Sequence, residues 1–207
     1  MAEPEPRAER LGLLGGTFDP PHVGHLGAAR GCLSELGLDR VLFVVANDPW
    51  QKSPTRAVTP AADRLAMVEA AVAGVPGLAV STIELDRGGP SYTVETVEAL
   101  AAAAGGRGEP APEQYLIVGA DVVATLSTWH RAGELAGLVT LAVVSRPGVK
   151  TPTAVPGWRV VVVSGTEVDL SSSAVRDRAE AGVSLTGLVP PRVEQYIAAR
   201  DLYAVPR

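Results

Sequence analysis

The sequence predicts an α/β fold built on a doubly wound, mainly parallel sheet with helices on both faces and a small C-terminal helical part. Short apolar runs alternate with longer amphipathic ones along the chain, the order that repeated strand-helix units produce. Two of the short runs, Tyr115 to Val118 and Val139 to Val144, are nearly unbroken in apolar character, as expected of parallel strands covered on both faces. With 207 residues, 46% of them hydrophobic, the chain can bury a full core within the size of one domain.

Leu11 to Leu14 reads as the first strand and Val23 to Leu36 as the helix that follows it. Val41 to Val45 gives the next strand, and Pro60 to Gly74 a helix whose Leu65, Met67, Val68, Ala71 and Val72 recur at helical spacing. A strand over Leu78 to Ile83 and a helix over Val94 to Ala104 come next, and the turn formers from Gly105 to Pro112 then break the pattern with a surface loop. The two apolar runs are the following strands, Pro147 to Gly157 is a loop, and Arg159 to Val163 is the last strand. Ser172 to Ala181 and Pro191 to Arg200 close the chain as helices, the second with proline at its first turn. No internal repeat or linker marks a second unit. The reading is therefore one Rossmann-like domain over 1–207, with 1–9 as a flexible acidic, proline-rich tail.

A net charge of −5 and a pI near 5.2 argue against a nucleic-acid partner, which usually requires a basic face. Cys32 is the single cysteine; it cannot form an internal disulfide and falls in a helix, where a buried thiol and a reducing, cytoplasmic setting fit. Met1 to Pro6 lacks the basic start and apolar run of a secretory signal. No stretch is long enough for a membrane span. Nothing in the sequence selects a monomer over a homo-oligomer.

Chemistry concentrates after the first strand, in Gly15-Gly16-Thr17-Phe18-Asp19-Pro20-Pro21-His22-Val23-Gly24-His25. Two of the chain's three histidines fall there at i and i+3, which puts both imidazoles on one side of a first helical turn. The unpaired N–H groups of a helix start favour phosphate, and Gly15, Gly16 and Gly24 remove side chains where phosphate oxygens must approach. A lone histidine more often caps or packs a helix, but the pair beside a glycine turn favours function. Zinc ligation is the competing functional reading, weakened by the lack of a third ligand set; Asp19 is expected to make a local hydrogen bond.

This motif resembles the nucleotidyltransferase superfamily, and specifically the bacterial nicotinate-nucleotide adenylyltransferases, over nearly the whole chain. The resemblance implies that His22 and His25 hold triphosphate oxygens and stabilise charge while one phosphate attacks the α-phosphorus of ATP. No covalent intermediate is implied, and the physics agrees, since such transfers need positioning and charge neutralisation more than a nucleophilic side chain. Gly15, Gly16, Thr17 and Phe18 are expected on the ATP side. The run Leu170-Ser171-Ser172-Ser173-Ala174-Val175-Arg176 departs mildly from the family's Ile-Ser-Ser-Thr-x-x-Arg. Alone it would be a good helix N-cap; by resemblance Ser172, Ser173 and Arg176 bind the β- and γ-phosphates. Lys52 would add a point charge, while Arg56 and Arg64 are left as surface or salt-bridge residues.

The resemblance also places Gly119, Asp121 and Arg146 on the nucleotide side, although Asp121 could equally cap a helix. It assigns Trp129 to stack on the nicotinate ring. The amides of Thr93 and His130 would meet the nicotinate carboxylate; His130 departs from the commoner aromatic. Mg²⁺ is expected as a counterion on substrate phosphates, with no protein ligand. The implied reaction joins ATP and nicotinate mononucleotide into deamido-NAD and pyrophosphate. The rivals are the same chemistry on nicotinamide mononucleotide, a flavin mononucleotide or a pantetheine phosphate, and a regulator that binds nucleotide without turnover. A redox Rossmann domain is disfavoured because Gly-x-Gly-x-x-Gly does not follow the first strand.

Overall fold

The computed structural model describes residues 7–48, 58–145, 147–164 and 170–204. Its strands are β1 (Arg10–Gly16), β2 (Arg40–Val45), β3 (Leu78–Ser81), β4 (Glu113–Gly119), β5 (Thr140–Val144) and β6 (Arg159–Val163). They form one sheet in the order β3-β2-β1-β4-β5-β6, and every pairing is parallel. The chain winds outward in both directions from β1 and β4, so the crevice beyond the carboxyl ends of that pair is the position where such sheets bind ligands.

Because side chains alternate along a strand, the sheet carries one core on each face. Leu14, Val41, Phe43, Val45 and Ile117 face α1 (Val23–Glu35) and α2 (Ala61–Val72), packing with Leu26, Ala29, Cys32, Val68 and Val72. Leu13, Leu42, Val44, Leu116 and Leu141 pack on the other side with Val94 and Val97 of α4 (Thr93–Gly106) and Leu135 of α5 (Ala132–Leu138). Each fully buried aliphatic side chain contributes about 1.5–3 kcal/mol. Gly12 in β1 makes the close approach possible, since a Cβ there would lie 2.8 Å from Val41 Cγ2 and 2.9 Å from Leu38 Cδ1. Burial of Cys32 pushes its thiol up to about 12.

A third cluster forms the C-terminal helical part. Met67 and Ala71 of α2 meet Val175 of α6 (Ser172–Glu180) and Val193 and Ile197 of α7 (Pro191–Ala199). Asp63 at the start of α2 accepts hydrogen bonds on Oδ1 from the Tyr196 hydroxyl at 2.9 Å and Arg200 Nη2 at 2.9 Å.

The element predictions hold for the sheet and differ in the connections. The strand expected to reach Ile83 stops at Ser81, and Ile83–Arg87 is a helix, α3. Thr82 draws that turn together: its carbonyl accepts from the Asp86 amide at 2.8 Å, and its hydroxyl donates to Asp86 Oδ2 at 2.7 Å. The 3₁₀ turn at Val123–Thr128 and the seven-residue α5 are too short to show a helical period. The helix expected to end at Ala104 runs on to Gly106. Of the tail expected over 1–9, residues 1–6 lie outside the described residues. The last three are tied to the fold: Arg7 Nη1 donates to Asp39 Oδ2 at 3.0 Å, and the Glu9 carbonyl accepts from the Glu113 amide at 2.7 Å.

Candidate active site

The turn after β1 brings its two histidines face to face. His22 is the N-cap of α1 and only 2% exposed, while His25, one turn in, is half-buried. Their rings stack with centroids 3.7 Å apart, and the edge of Phe18 meets His25 at 5.1 Å. The His22 amide donates to His25 Nδ1 at 3.1 Å. An Nδ1 that accepts leaves the ring's proton on Nε2, so His25 keeps a donor on the far side of the ring.

The three glycines serve different ends. A Cβ at Gly15 would meet nothing within 4 Å, so its surface is open for a close-approaching group. At Gly16 it would meet the Phe18 ring at 3.1 Å, and at Gly24 His22 Nδ1 at 3.0 Å. Those two make room for the protein's own rings. Phe18 is itself left-handed, with φ 52°, a conformation that costs about 1–3 kcal/mol and persists only where surroundings enforce it.

Enforcement comes from behind the turn. Arg64, expected at the surface or in a salt bridge, is instead 1% exposed. Its guanidinium donates to the carbonyls of Thr17 at 2.9 Å, Ala46 at 2.7 Å and Asn47 at 3.3 Å, and its Nε to that of Thr59 at 2.8 Å. The sequence held one signal of this: Arg64 shares the inward face of α2 with Met67, Val68 and Ala71. Asp19 does not bond locally as expected. Its Oδ1 accepts from the Tyr203 hydroxyl at 2.7 Å and its Oδ2 from the Thr59 amide at 3.4 Å.

The start of α6 also grips this turn. Ser171 is its N-cap, accepting from the Ala174 amide at 3.2 Å. Ser172 Oγ donates to the Pro20 carbonyl at 2.9 Å, and Arg176 Nη1 to the Asp19 carbonyl at 2.6 Å. Arg176 Nη2 donates to Ser173 Oγ at 3.0 Å. Of the three residues expected on phosphates, Ser172 lines the cleft, and Ser173 and Arg176 stand beside the turn without lining it.

The opposite wall starts at Gly88 and Gly89, both at positive φ, where glycine avoids the strain of a side chain. Asn47 fastens this turn: its amide donates to Ser91 Oγ at 2.9 Å and its Nδ2 to the Gly89 carbonyl at 2.9 Å. Tyr92 caps α4, Thr93 is the helix's first residue, and the Tyr92 ring lies 4.3 Å from that of His130. Trp129 is half-buried against the adjoining core. Arg131, left-handed at φ 52°, ties this corner to α4 by donating to Glu98 Oε2 at 3.0 Å. Among the described residues the amides of Thr93 and His130 have no partner.

Both walls border one cleft of about 430 Å³ over the ends of β1 and β4. It joins Gly15, Gly16, Thr17, Phe18, His25 and Ser172 on one side with Ser91, Thr93, Trp129 and His130 on the other. Gly119 and Asp121 lie on its floor side, and the cap of the 3₁₀ turn is Val122 rather than Asp121. His22 sits beneath His25 without lining the cleft. Glu84, which the sequence reading passed over, lines it too; it is buried and accepts from Thr96 Oγ1 at 2.7 Å. Lys52, Arg56 and Arg146 lie outside the described residues. Among the described residues no three His, Cys, Asp or Glu side chains gather as a metal site, and no helix is long and apolar enough to cross a membrane.

Known proteins are similar to this chain in sequence and in fold. Residues 13–178 match the cytidylyltransferase-like family. The chain is 41% identical to a protein of Bordetella petrii named probable nicotinate-nucleotide adenylyltransferase, covering 94% of this chain and 99% of the relative. A protein of the same name from Corynebacterium kroppenstedtii is 44% identical, with coverage of 94% and 90%. Among solved structures, the Plasmodium falciparum nicotinic acid mononucleotide adenylyltransferase complexed with NaAD superposes with a TM-score of 0.78 at 13% identity, over 94% of this chain and 97% of that one.

Proposed function

The chain belongs to the cytidylyltransferase-like family, among its nicotinate-nucleotide adenylyltransferases, and from that premise we propose how its cleft transfers AMP from ATP to nicotinate mononucleotide. The products are deamido-NAD and pyrophosphate. The observation that carries the proposal is the shared cleft: a phosphate-type turn with His25 on one wall, and two unengaged amides beside Trp129 on the other.

ATP lies against the β1 turn, where Gly15 admits phosphate oxygens and the α1 terminus attracts them. His25 donates from Nε2, and His22 orients that ring by stacking and through its own amide. A 5′-phosphate oxygen of the mononucleotide attacks the α-phosphorus. A new P–O bond forms, the bond to the β-phosphate breaks, and pyrophosphate leaves with the electron pair. The nucleophile is already ionised at neutral pH, so no general base is needed. Charge accumulates on the phosphate oxygens, where fixed donors stabilise it most.

Thr17, Phe18, Gly119 and Asp121 contact the nucleotide, with Lys52 and Arg146 adding positive charge. Ser172 reaches the phosphates directly. Arg176, whose Nη2 donates to Ser173 Oγ, either turns toward them with Ser173 when ATP binds or acts by holding the Asp19 carbonyl. Asp121 and Glu84 border the cleft, and an Mg²⁺ ion would be carried on the substrate's phosphates. Such an ion neutralises the triphosphate. The Thr93 and His130 amides favour a carboxylate, with two acceptor oxygens, over a carboxamide, which presents one acceptor and one donor group. We place the enzyme in the cytoplasm, where the buried Cys32 thiol stays reduced.

Pyrophosphate release with ATP, measured against nicotinate and nicotinamide mononucleotides in parallel, tests the proposal. The expected result is release with both or with nicotinate alone, and kcat/KM at least tenfold higher for nicotinate mononucleotide. A preference for the nicotinamide form would overturn the acceptor, and no release with any acceptor would favour binding without turnover.

A further inference from the structure

The guanidinium of Arg64 is used by none of the steps above, yet Arg64 is the largest fully buried side chain among the described residues. Desolvation lowers its pKa, and Asp19 and Tyr203 partly offset this. All four of its acceptors are backbone carbonyls, and they come from three separate stretches: Thr17 after β1, Ala46 and Asn47 after β2, and Thr59 at the approach to α2. A buried charge held only by neutral carbonyls is an expensive way to fill a core, where an apolar side chain of similar volume serves stability as well or better. What an apolar chain cannot do is hold several donors in one rigid plane.

Thr17 and Asn47 among these acceptors belong to opposite walls of the cleft. Thr17 is part of the turn that leads to His22 and His25. Asn47 carries the other wall, since its amide and Nδ2 fasten Ser91 and Gly89, and the Asp48 carbonyl accepts from the Ser91 amide at 3.2 Å. One planar group thus anchors both the nucleotide side and the acceptor side. We propose that Arg64 is a positioning residue that sets the separation of the two half-sites, and so the distance between the attacking phosphate oxygen and the α-phosphorus. The proposal rests on the adenylyl-transfer reading. It gives Arg64 an effect on turnover distinct from binding, because in-line attack needs the reacting atoms about 3–3.5 Å apart and a misplacement of about 1 Å costs roughly a hundredfold.

The test is Arg64→Lys in the full chain. Lysine keeps the positive charge but presents one tetrahedral ammonium that cannot reach the Thr17 and Asn47 carbonyls in a common plane. Dissociation constants for ATP alone and nicotinate mononucleotide alone, by calorimetry, are expected within threefold of the parent, while kcat falls about thirtyfold to a hundredfold. Asn47→Ala loosens only the acceptor wall and leaves the Arg64 contacts, which are to backbone, in place. It is expected to lower kcat about tenfold without changing ATP binding. A folded Arg64→Lys with kcat within threefold of the parent overturns the proposal, as does a loss of kcat matched by equal losses in both dissociation constants. If Arg64→Lys does not fold, unchanged kcat in Asn47→Ala overturns it, and lowered kcat with unaltered ATP binding supports it. An inactive parent would refute the adenylyl-transfer reading instead, before either variant is compared.

Discussion

Tyr203 donates its hydroxyl to Asp19 Oδ1 at 2.7 Å across a sequence separation of 184 residues. The end of the chain therefore buttresses the turn that carries the histidines. Burial, and then the bond to Asp19, raise the phenol's pKa. A raised folded-state pKa means that the bonded phenol's stabilisation is fully present below the unfolded value of about 10 and is lost as pH rises toward the folded one. Tyr203→Phe should cost about 1–3 kcal/mol at neutral pH, the range for leaving a buried polar group without its hydrogen-bond partner. It should also flatten the fall in stability above about pH 10. Tyr115 and Tyr196 are raised too, so the alkaline limb should shrink without vanishing. Urea titrations of parent and variant at pH 7 and pH 10.5 measure both effects.

His25 borders the cleft and His22 lies beneath it, so their removal should read differently. If His25 donates to the transferring phosphates as proposed, His25→Ala should lower kcat by about 10²–10³-fold, the usual effect of losing one preorganised donor. His22→Ala removes the ring on which His25 stacks, so it should lower kcat and also lower the thermal midpoint, because a buried side chain is lost. Single-turnover kinetics with a melting curve for each variant separate the two. Equal melting losses would show that His25 is as structural as His22.

These contrasts were only partly legible in the sequence. The sheet was, because its strands are apolar on both faces and its connections carry helical periods. The turn from Gly15 to His25 was legible as a unit, because glycines cluster there with paired histidines, but the separate tasks of Gly16 and Gly24, which make room for Phe18 and His22, were not. Arg64 carried one signal, its place on the inward face of α2, but its role was hidden because its acceptors are backbone carbonyls up to 47 residues away. Tyr203 and Asn47 left no signal, since they act through long-range hydrogen bonds. α3 was hidden because Ile83 follows closely on the apolar run Leu78-Ala79-Val80 and only Thr82 and Asp86 turn the chain.

Trp129 presents its indole between the core and the cleft, beside the His130–Tyr92 ring pair. If it stacks on the acceptor ring, Trp129→Ala should raise KM for nicotinate mononucleotide about tenfold to a hundredfold, since a desolvated ring contact is worth about 1–3 kcal/mol. KM for ATP should change less than threefold. Trp129→Phe keeps an aromatic face and should recover most of the loss. Steady-state kinetics with each substrate varied in turn give the answer, and equal effects on both KM values would assign Trp129 to packing alone.

Asp63 joins α2 to α7 through Tyr196 and Arg200. The bond from Tyr196 and then that from Arg200 hold its carboxyl below the usual carboxylate range, against the opposing effect of burial. A depressed folded-state pKa gives stability that is present above the unfolded value of about 3.9 and is lost as pH falls through the folded one. Asp63→Asn should therefore lower the thermal midpoint at pH 7, and the gap from the parent should narrow below about pH 4. Melting curves from pH 7 to pH 2.5 check this; a gap constant with pH would mean that packing, rather than charge, holds the two helices.

At Gly24 two effects oppose each other. It is the second residue of α1, where replacing glycine by alanine in a helix gains up to about 1 kcal/mol. The new Cβ, however, would stand 3.0 Å from His22 Nδ1 and 3.1 Å from its Cε1. That ring has little room to withdraw, being 2% exposed and stacked on His25. A shift of a few tenths of an ångström must then pass to His25, the donor of the proposed transfer step. Gly24→Ala should leave the thermal midpoint near the parent's, because helix propensity and the close contact offset each other. Its kcat should fall about tenfold or more, because the reacting groups tolerate little displacement. Measured together, a raised midpoint with unchanged kcat would show slack around His22 and detach its packing from the chemistry of His25.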